Sequence, residues 1–301
     1  NLVISYHETE ADAENNVNEI IGEYNNIVAY EQTVYIRVES SSVATDCGTI
    51  LSMNLIVNDV PQINTEPSSL FLCDENTDGF GIFDLSTSNE ELLNGLDPSD
   101  FTITYYEAQD DALNALNAII TPYNYTNTTA FNQFVWVRIE NNTTACYNVG
   151  SIELIINELP VLTQPTPLNL CDYNNSGDEV EGFTLEDSIG EVLQGQTGIN
   201  ISFHESQEDA DNAANALVSP YNNTANAQTI YIRGEDEITG CYATITLDLR
   251  VNPIPSPVAP EPIEECDDDN DGFTFFTLET NEEEIINGEL DIVLSYYSTL
   301  A

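Results

Sequence analysis

A cysteine followed directly by an oxygen-rich turn occurs three times in this chain, and the other features keep phase with it. The copies read Cys73-Asp74-Glu75-Asn76-Thr77-Asp78-Gly79, Cys171-Asp172-Tyr173-Asn174-Asn175-Ser176-Gly177 and Cys266-Asp267-Asp268-Asp269-Asn270-Asp271-Gly272. They lie 98 and 95 residues apart. A chain with this period is a tandem array: one unit is solved once and repeated, and each element can be checked against its copies.

The strand pattern repeats with the turns. Ile50 to Pro61, Ser151 to Pro160 and Thr244 to Pro255 alternate in polarity and end in proline, followed by short proline-containing linkers. This places boundaries at residues 1–62, 63–160, 161–256 and 257–301, two complete units flanked by two partial ones. After each acidic turn a short strand is expected at Phe80 to Leu85, Gly182 to Leu185 and Phe273 to Leu278. A helical turn closed by glycine follows, as at Glu91 to Gly95. Next come strands at Leu2 to Glu8, Phe101 to Glu107 and Ile199 to Glu205. Capping-box spacing at Thr9/Asp12 and Ser206/Asp209 then opens a helix, and Ala112, Leu113, Leu116 and Ile119 keep helical spacing. Tyr24, Tyr123 and Tyr221 begin Tyr-Asn loops. Strands at Val34 to Glu39, Val135 to Glu140 and Ile230 to Glu235 precede a second cysteine, Cys47, Cys146 or Cys241. The count of short strands predicts a mainly β chain, a tandem array of immunoglobulin/fibronectin-like β-sandwich domains, each with a short inserted helix. A half sandwich exposes its core, so the partial end units point to a piece of a longer array.

The 301 residues carry 53 acidic side chains, four arginines and no lysine, a formal charge of −49. Such a surface repels nucleic acid and anionic membrane, so neither is an expected partner. With 41% hydrophobic residues in clean alternation, the chain can still bury cores. No apolar run is long enough to span a membrane, so no direct insertion is expected. Six cysteines at repeat-locked positions point to disulfides and an oxidising compartment. From Cys146 to Pro160 the chain reads as one strand, roughly 45 Å at about 3.3 Å per residue. In an end-to-end array that carries Cys171 beyond the ~7 Å Cα separation a disulfide allows. The expected bridges are therefore Cys73–Cys146 and Cys171–Cys241, within units, with Cys47 and Cys266 paired elsewhere.

The copies also test each candidate for chemistry. His7 and His204 share one repeat position that Tyr106 and Tyr297 occupy in the other units, a swap no catalytic base or metal ligand tolerates. The expected role is an aromatic on a surface strand, and no histidine is left for a Ser-His-Asp arrangement. Arg37, Arg138 and Arg233 share another position, which predicts a structural salt bridge, with Glu8, Glu107 and Glu205 as partners. The acidic turns match the first half of an EF-hand loop. Asp74, Asn76 and Asp78 with the Phe80 carbonyl are candidate calcium ligands, as are Asp267, Asp269 and Asp271 with the Phe273 carbonyl, and Asp172, Asn174 and Ser176. Position 12 is Leu85 or Leu278 rather than a bidentate Glu, so a structural Ca2+ would draw its remaining ligands from elsewhere or from water.

The start Leu72 to Leu85, the strand end Tyr105-Tyr106-Glu107, the segment Trp136-Val137-Arg138-Ile139-Glu140 and the close Ile156-Asn157-Glu158-Leu159-Pro160 together resemble repeats of very large secreted surface proteins of gliding Bacteroidetes. That group includes gliding-motility adhesins and often carries a type IX secretion signal. The second turn departs from the pattern: Asp178-Glu179-Val180-Glu181 lengthens it and Ser176 replaces an acid. The resemblance implies secretion to the cell surface and a non-enzymatic stalk of an adhesin. Its partners would be neighbouring repeats of the same chain, and surface glycans or other cell-surface proteins. Asp187-Ser188-Ile189 also resembles the Asp-Ser/Thr-apolar O-glycosylation pattern of Bacteroidetes, with Ser188 as acceptor. Two other functions fit the residues: a glycan-binding array using exposed aromatics such as Tyr105-Tyr106, and an accessory region of a secreted enzyme.

Overall fold

In the computed structural model, residues 2–40, 48–269 and 271–298 are described; Cys47 and Asn270 lie outside them. Of the described residues, 33% are strand and 17% helix. It divides into two compact units, Asn1–Asn157 and Glu158–Ala301.

The first unit begins with β1 (Leu2–His7), α1 (Glu10–Asn15), β2 (Glu31–Ser40) and β3 (Gly48–Ile56), an antiparallel sheet of order β1-β2-β3. It continues through β4 (Leu70–Asp74), β5 (Ile82–Phe83), α2 (Asn89–Leu93), β6 (Phe101–Tyr106), α3 (Gln109–Asn114), β7 (Tyr125–Thr126), β8 (Asn132–Asn141) and β9 (Tyr147–Glu158). Here the sheet order is β4-β9-β8-β6, with β5 and β7 forming a separate two-stranded pair. Apolar residues alternate along β8 and β9, so Val135, Val137, Ile139, Ile152, Leu154 and Ile156 face one way. They pack with Tyr105 of the same sheet and with Phe83, Leu85 and Leu92 from the opposite layer into one core.

The second unit repeats the plan with β10 (Leu168–Cys171), β11 (Gly182–Phe183), α4 (Ile189–Leu193), β12 (Ile199–His204), α5 (Gln207–Asp211), β13 (Tyr221–Asn222), β14 (Gln228–Asp236), β15 (Tyr242–Asn252) and α6 (Glu282–Ile286). Its sheet order is β10-β15-β14-β12, with β11 against β13. Phe183, Leu185, Val192, Phe203, Ile230, Ile232, Leu247 and Leu249 form its core. The first strand of this repeat runs parallel to the last: Leu168 lies opposite Leu249 and Cys171 opposite Asn252.

The array of immunoglobulin-like, mainly β units is therefore present, with a thin second layer built from a strand pair and short helical turns. Several local expectations change. The helix expected through Ile119 stops at Asn114, where Ala115 takes a left-handed φ of 53°, leaving Leu116 exposed. The helical turn expected at Glu91 to Gly95 does form, as α2 with α4 its copy, and left-handed Asn94 or Gln194 precedes the closing glycine. The strand expected at Phe273 to Leu278 does not form: among the described residues of 257–301 there is no counterpart of β7 and β13, the strands that pair with β5 and β11. The proline segments are docked rather than bare: Ser151 N–H donates to the Thr65 carbonyl at 2.9 Å and Asn64 N–H to the Leu92 carbonyl at 2.9 Å.

Candidate functional site

The acidic turns are held from within. In the first, Asp74 is buried; its Oδ1 accepts from Asp78 N–H at 3.2 Å and its Oδ2 from Gly79 N–H at 2.9 Å. Gly79 has φ +75°, a conformation that favours glycine. The Asn76 amide donates to Asp78, whose Oδ1 accepts from Phe80 N–H at 2.8 Å. Buried Asn127 ties the turn down, donating to the Gly79 carbonyl at 2.9 Å and accepting from Gly81 N–H at 2.7 Å. In the third turn, Gly272 N–H donates to Asp267 at 2.7 Å, and this bond first of all holds the Asp267 carboxyl below the usual carboxylate range. Asp267, Asp269 and Asp271 each place a carboxylate oxygen within 4.8 Å of the others, while Phe273 is exposed.

The second turn is built differently. Asp172 accepts from Gly177 N–H at 2.6 Å. Glu181, which the sequence shows only as part of an insertion, folds back into the turn. It accepts from Tyr173 N–H at 2.6 Å, from Asn174 N–H at 2.8 Å and from the Asn174 amide at 2.6 Å. Asn223 plays the part of Asn127, accepting from Glu181 N–H at 2.8 Å. That equivalence puts Glu181 where the first repeat has Gly81, whose missing Cβ would lie 2.8 Å from Ile156.

Both bridges expected within units are absent: Cys146, Cys171 and Cys266 are free thiols, whereas Cys73 and Cys241 are disulfide-bonded. Register gives the reason. Cys171 pairs opposite Asn252 at the end of β15, while Cys241 directly precedes the start of that strand. At about 3.3 Å per residue the two cysteines of one repeat are roughly 35 Å apart. Cys146 does lie at a strand start, as expected, and it is the parallel first strand that holds the two cysteines of a repeat apart.

The repeated arginines are buried and make the expected ion pairs with different partners. Arg138 bonds Glu140 at 2.6 Å, Arg37 bonds Glu39 at 3.0 Å and Arg233 bonds Glu235 at 2.5 Å. Arg138 lies opposite Thr104 in the β6–β8 register, and Glu107 is three residues further on, on the other face. Glu140, two residues along the same strand, shares the arginine's face. Each arginine also donates Nη1 to the last carbonyls of the inserted helix, Ala13 and Glu14, Ala112 and Leu113, or Ala210 and Asp211. Arg250 pairs with Asp248.

Glu8, Glu107 and Glu205 instead accept from the hydroxyls of Tyr24, Tyr125 and Tyr221. Those hydroxyls accept in turn from Gln32, Gln133 and Gln228. The repeat-equivalent tyrosine of the first complete repeat is therefore Tyr125, not the exposed Tyr123. Burial, ahead of the hydrogen bonds and nearby carboxylate, pushes the Tyr125 hydroxyl above its ordinary pKa. This Glu-Tyr-Gln set escaped the sequence reading: it occurs in all three copies, but its spacing shifts by a residue or two between them.

Three further expectations are corrected. His7 and His204 are fully buried rather than surface aromatics, with Nε2 on Ser5 or Ser202 and Nδ1 at the Val17 or Ala214 carbonyl. Tyr105 and Tyr106 are buried, so they offer no face to a glycan. Ser188 is 2% exposed and its hydroxyl donates to the Leu185 carbonyl at 2.7 Å, which leaves no room for a glycan in the folded chain.

No helix among the described residues is long and apolar enough to cross a membrane. No curated protein matches the chain. Among solved structures, an I-band fragment of titin matches at 10% identity over 83% of this chain and 88% of that chain, with a TM-score of 0.28. A Drosophila N-cadherin fragment matches at 11% identity over 77% and 60%, with a TM-score of 0.21. The Flavobacterium inter-domain disulphide bond domain matches four times, over residues 1–61, 69–160, 167–255 and 262–301. With matches spanning nearly all of its length, this chain belongs to the Flavobacterium inter-domain disulphide bond domain family, as a run of consecutive repeats.

Proposed function

We propose that the chain is a non-enzymatic, extracellular stalk region of a large cell-surface adhesin, with successive repeats stapled by disulfides. In this reading the first cysteine of one repeat bonds the second cysteine of the next, so Cys73 and Cys241 are partners. The observation that carries the reading is the register: Cys171 and Cys241 sit at opposite ends of β15, so neither can serve the other. A cysteine at each end suits a unit joined to a neighbour on both sides. The family's description as an inter-domain disulphide bond domain supports the same arrangement. Association with gliding motility and type IX secretion extends the reading along the resemblance of the repeats to Bacteroidetes surface proteins.

Non-reducing peptide mapping of the intact chain tests the staple. The expected product links the peptides holding Cys73 and Cys241, with Cys146, Cys171 and Cys266 open to alkylation. A Cys73–Cys146 or Cys171–Cys241 peptide overturns it. A glycan array probed with the same protein tests the stalk reading, and specific saturable binding would move the assignment to a glycan-binding array.

A further inference from the structure

The second acidic turn leaves one buried atom without the partner its counterpart has in the first. Asp172 is 2% exposed, and its bond from Gly177 N–H holds the carboxylate inside the turn. Its Oδ1 is nevertheless buried with no hydrogen-bond partner. The equivalent Asp74 has both oxygens occupied by backbone N–H groups. A buried carboxylate oxygen without a donor is costly, more so when ionised. A second carboxylate is enclosed in the same turn: Glu181 is 6% exposed and bound through Tyr173 N–H and Asn174 N–H. The arginines of this repeat, Arg233 and Arg250, are paired with Glu235 and Asp248. Two enclosed negative charges therefore share one turn to which neither arginine is directed.

The side chains at alternate positions of this turn, Asp172, Asn174 and Ser176, all offer oxygen, the donor that a hard cation takes. Nitrogen and sulfur ligands of the kind that select zinc or copper are absent from this donor set. We propose that the turn from Asp172 to Glu181 binds a calcium ion through Asp172 Oδ1, with Glu181 fixing the turn and supplying the second charge. Calcium suits it better than magnesium, because an irregular oxygen set cannot give near-ideal octahedral geometry. The third repeat supports the position independently: Asp267, equivalent to Asp172, gathers with Asp269 and Asp271 within 4.8 Å. The inference does not depend on the stapled-stalk reading. Its consequence is a stiffer entry to the repeat, since the ion cancels repulsion within the turn.

Tyr173 makes the site separately observable. It is 75% exposed, next to Asp172, and the other two turns carry Glu75 and Asp268 in its place. The intact chain is titrated with terbium under tyrosine excitation, and calcium is then added as competitor. Saturable emission is expected, displaced by calcium with a Kd on the order of 10⁻⁴ M. Tyr173→Phe should lose most of that emission, and Asp172→Asn should weaken binding at least about tenfold. Glu181→Gln, expected to weaken binding as well, replaces Asp172→Asn if that variant does not fold. Absence of sensitised emission from the unaltered protein overturns the proposal and leaves Oδ1 to a buried water. Emission that survives Tyr173→Phe, or unchanged affinity in a folded Asp172→Asn protein, overturns it equally.

Discussion

The Arg138 guanidinium carbon lies 3.2 Å from the centroid of the Tyr147 ring, and Arg233 stands 3.4 Å over Tyr242 in the same relation. A planar cation on a ring face, forked onto Glu140 and reaching two helix-end carbonyls, joins strand, helix and the start of the last strand through one side chain. Arg138→Lys keeps the charge and loses the fork and the stacking. A loss of about 1–3 kcal/mol is expected, towards the lower end because Glu140 is part-exposed. Urea unfolding with an unchanged far-UV spectrum checks it; an unchanged midpoint refutes the clamp.

Cys73→Ser and Cys241→Ser should each lower stability by about 2–5 kcal/mol, and the double variant should fall no further. Reductant should bring the unaltered protein to the same level. Cys146→Ser, which removes a free thiol, should leave the midpoint in place. Thermal scans with and without reductant measure all of these.

Asp209 is held below the ordinary carboxylate pKa by the Ser206 hydroxyl, then by the Asn215 amide and the nearby His204. A folded-state pKa below the unfolded one adds stability above the unfolded value, and that stability disappears as pH falls through the folded value. Asp209→Asn should therefore melt lower than the unaltered protein near neutral pH, with the gap closing as the pH becomes acid enough to protonate the folded-state carboxylate. A gap that stays constant down to that acidity would show that shape, not charge, is at work.

A Cβ added at Gly150 would lie 2.8 Å from the Thr65 carbonyl oxygen, which is backbone and cannot swing aside. Gly150→Ala should push the proline segment off β9 at a cost of about 1–3 kcal/mol. Hydrogen exchange at the Ser151 N–H, bonded to that same oxygen, should quicken.

The strands were legible because alternation is local: β8 and β9 declare their buried face in consecutive residues. The arginines were legible as placed charges because three copies repeat them. Their partners were missed because Glu107 and Glu140 look alike in sequence, and only strand register puts Glu140 on the arginine's face. Cysteine pairing was hidden for a related reason: the parallel contact of β10 with β15 joins residues some eighty positions apart, and nothing in either strand announces it. Glu181 was hidden by its setting, since an acid in an acidic turn draws no notice until burial separates it from the rest.

The parallel contact between β10 and β15 also sets how a repeat meets force. A pull that enters along β10 and leaves along β15 is directed along both strands, so their bonds from Leu168/Leu249 to Cys171/Asn252 share the strain together instead of opening one after another. Such a contact fails by sliding, and sliding requires every bond in the row to break at once.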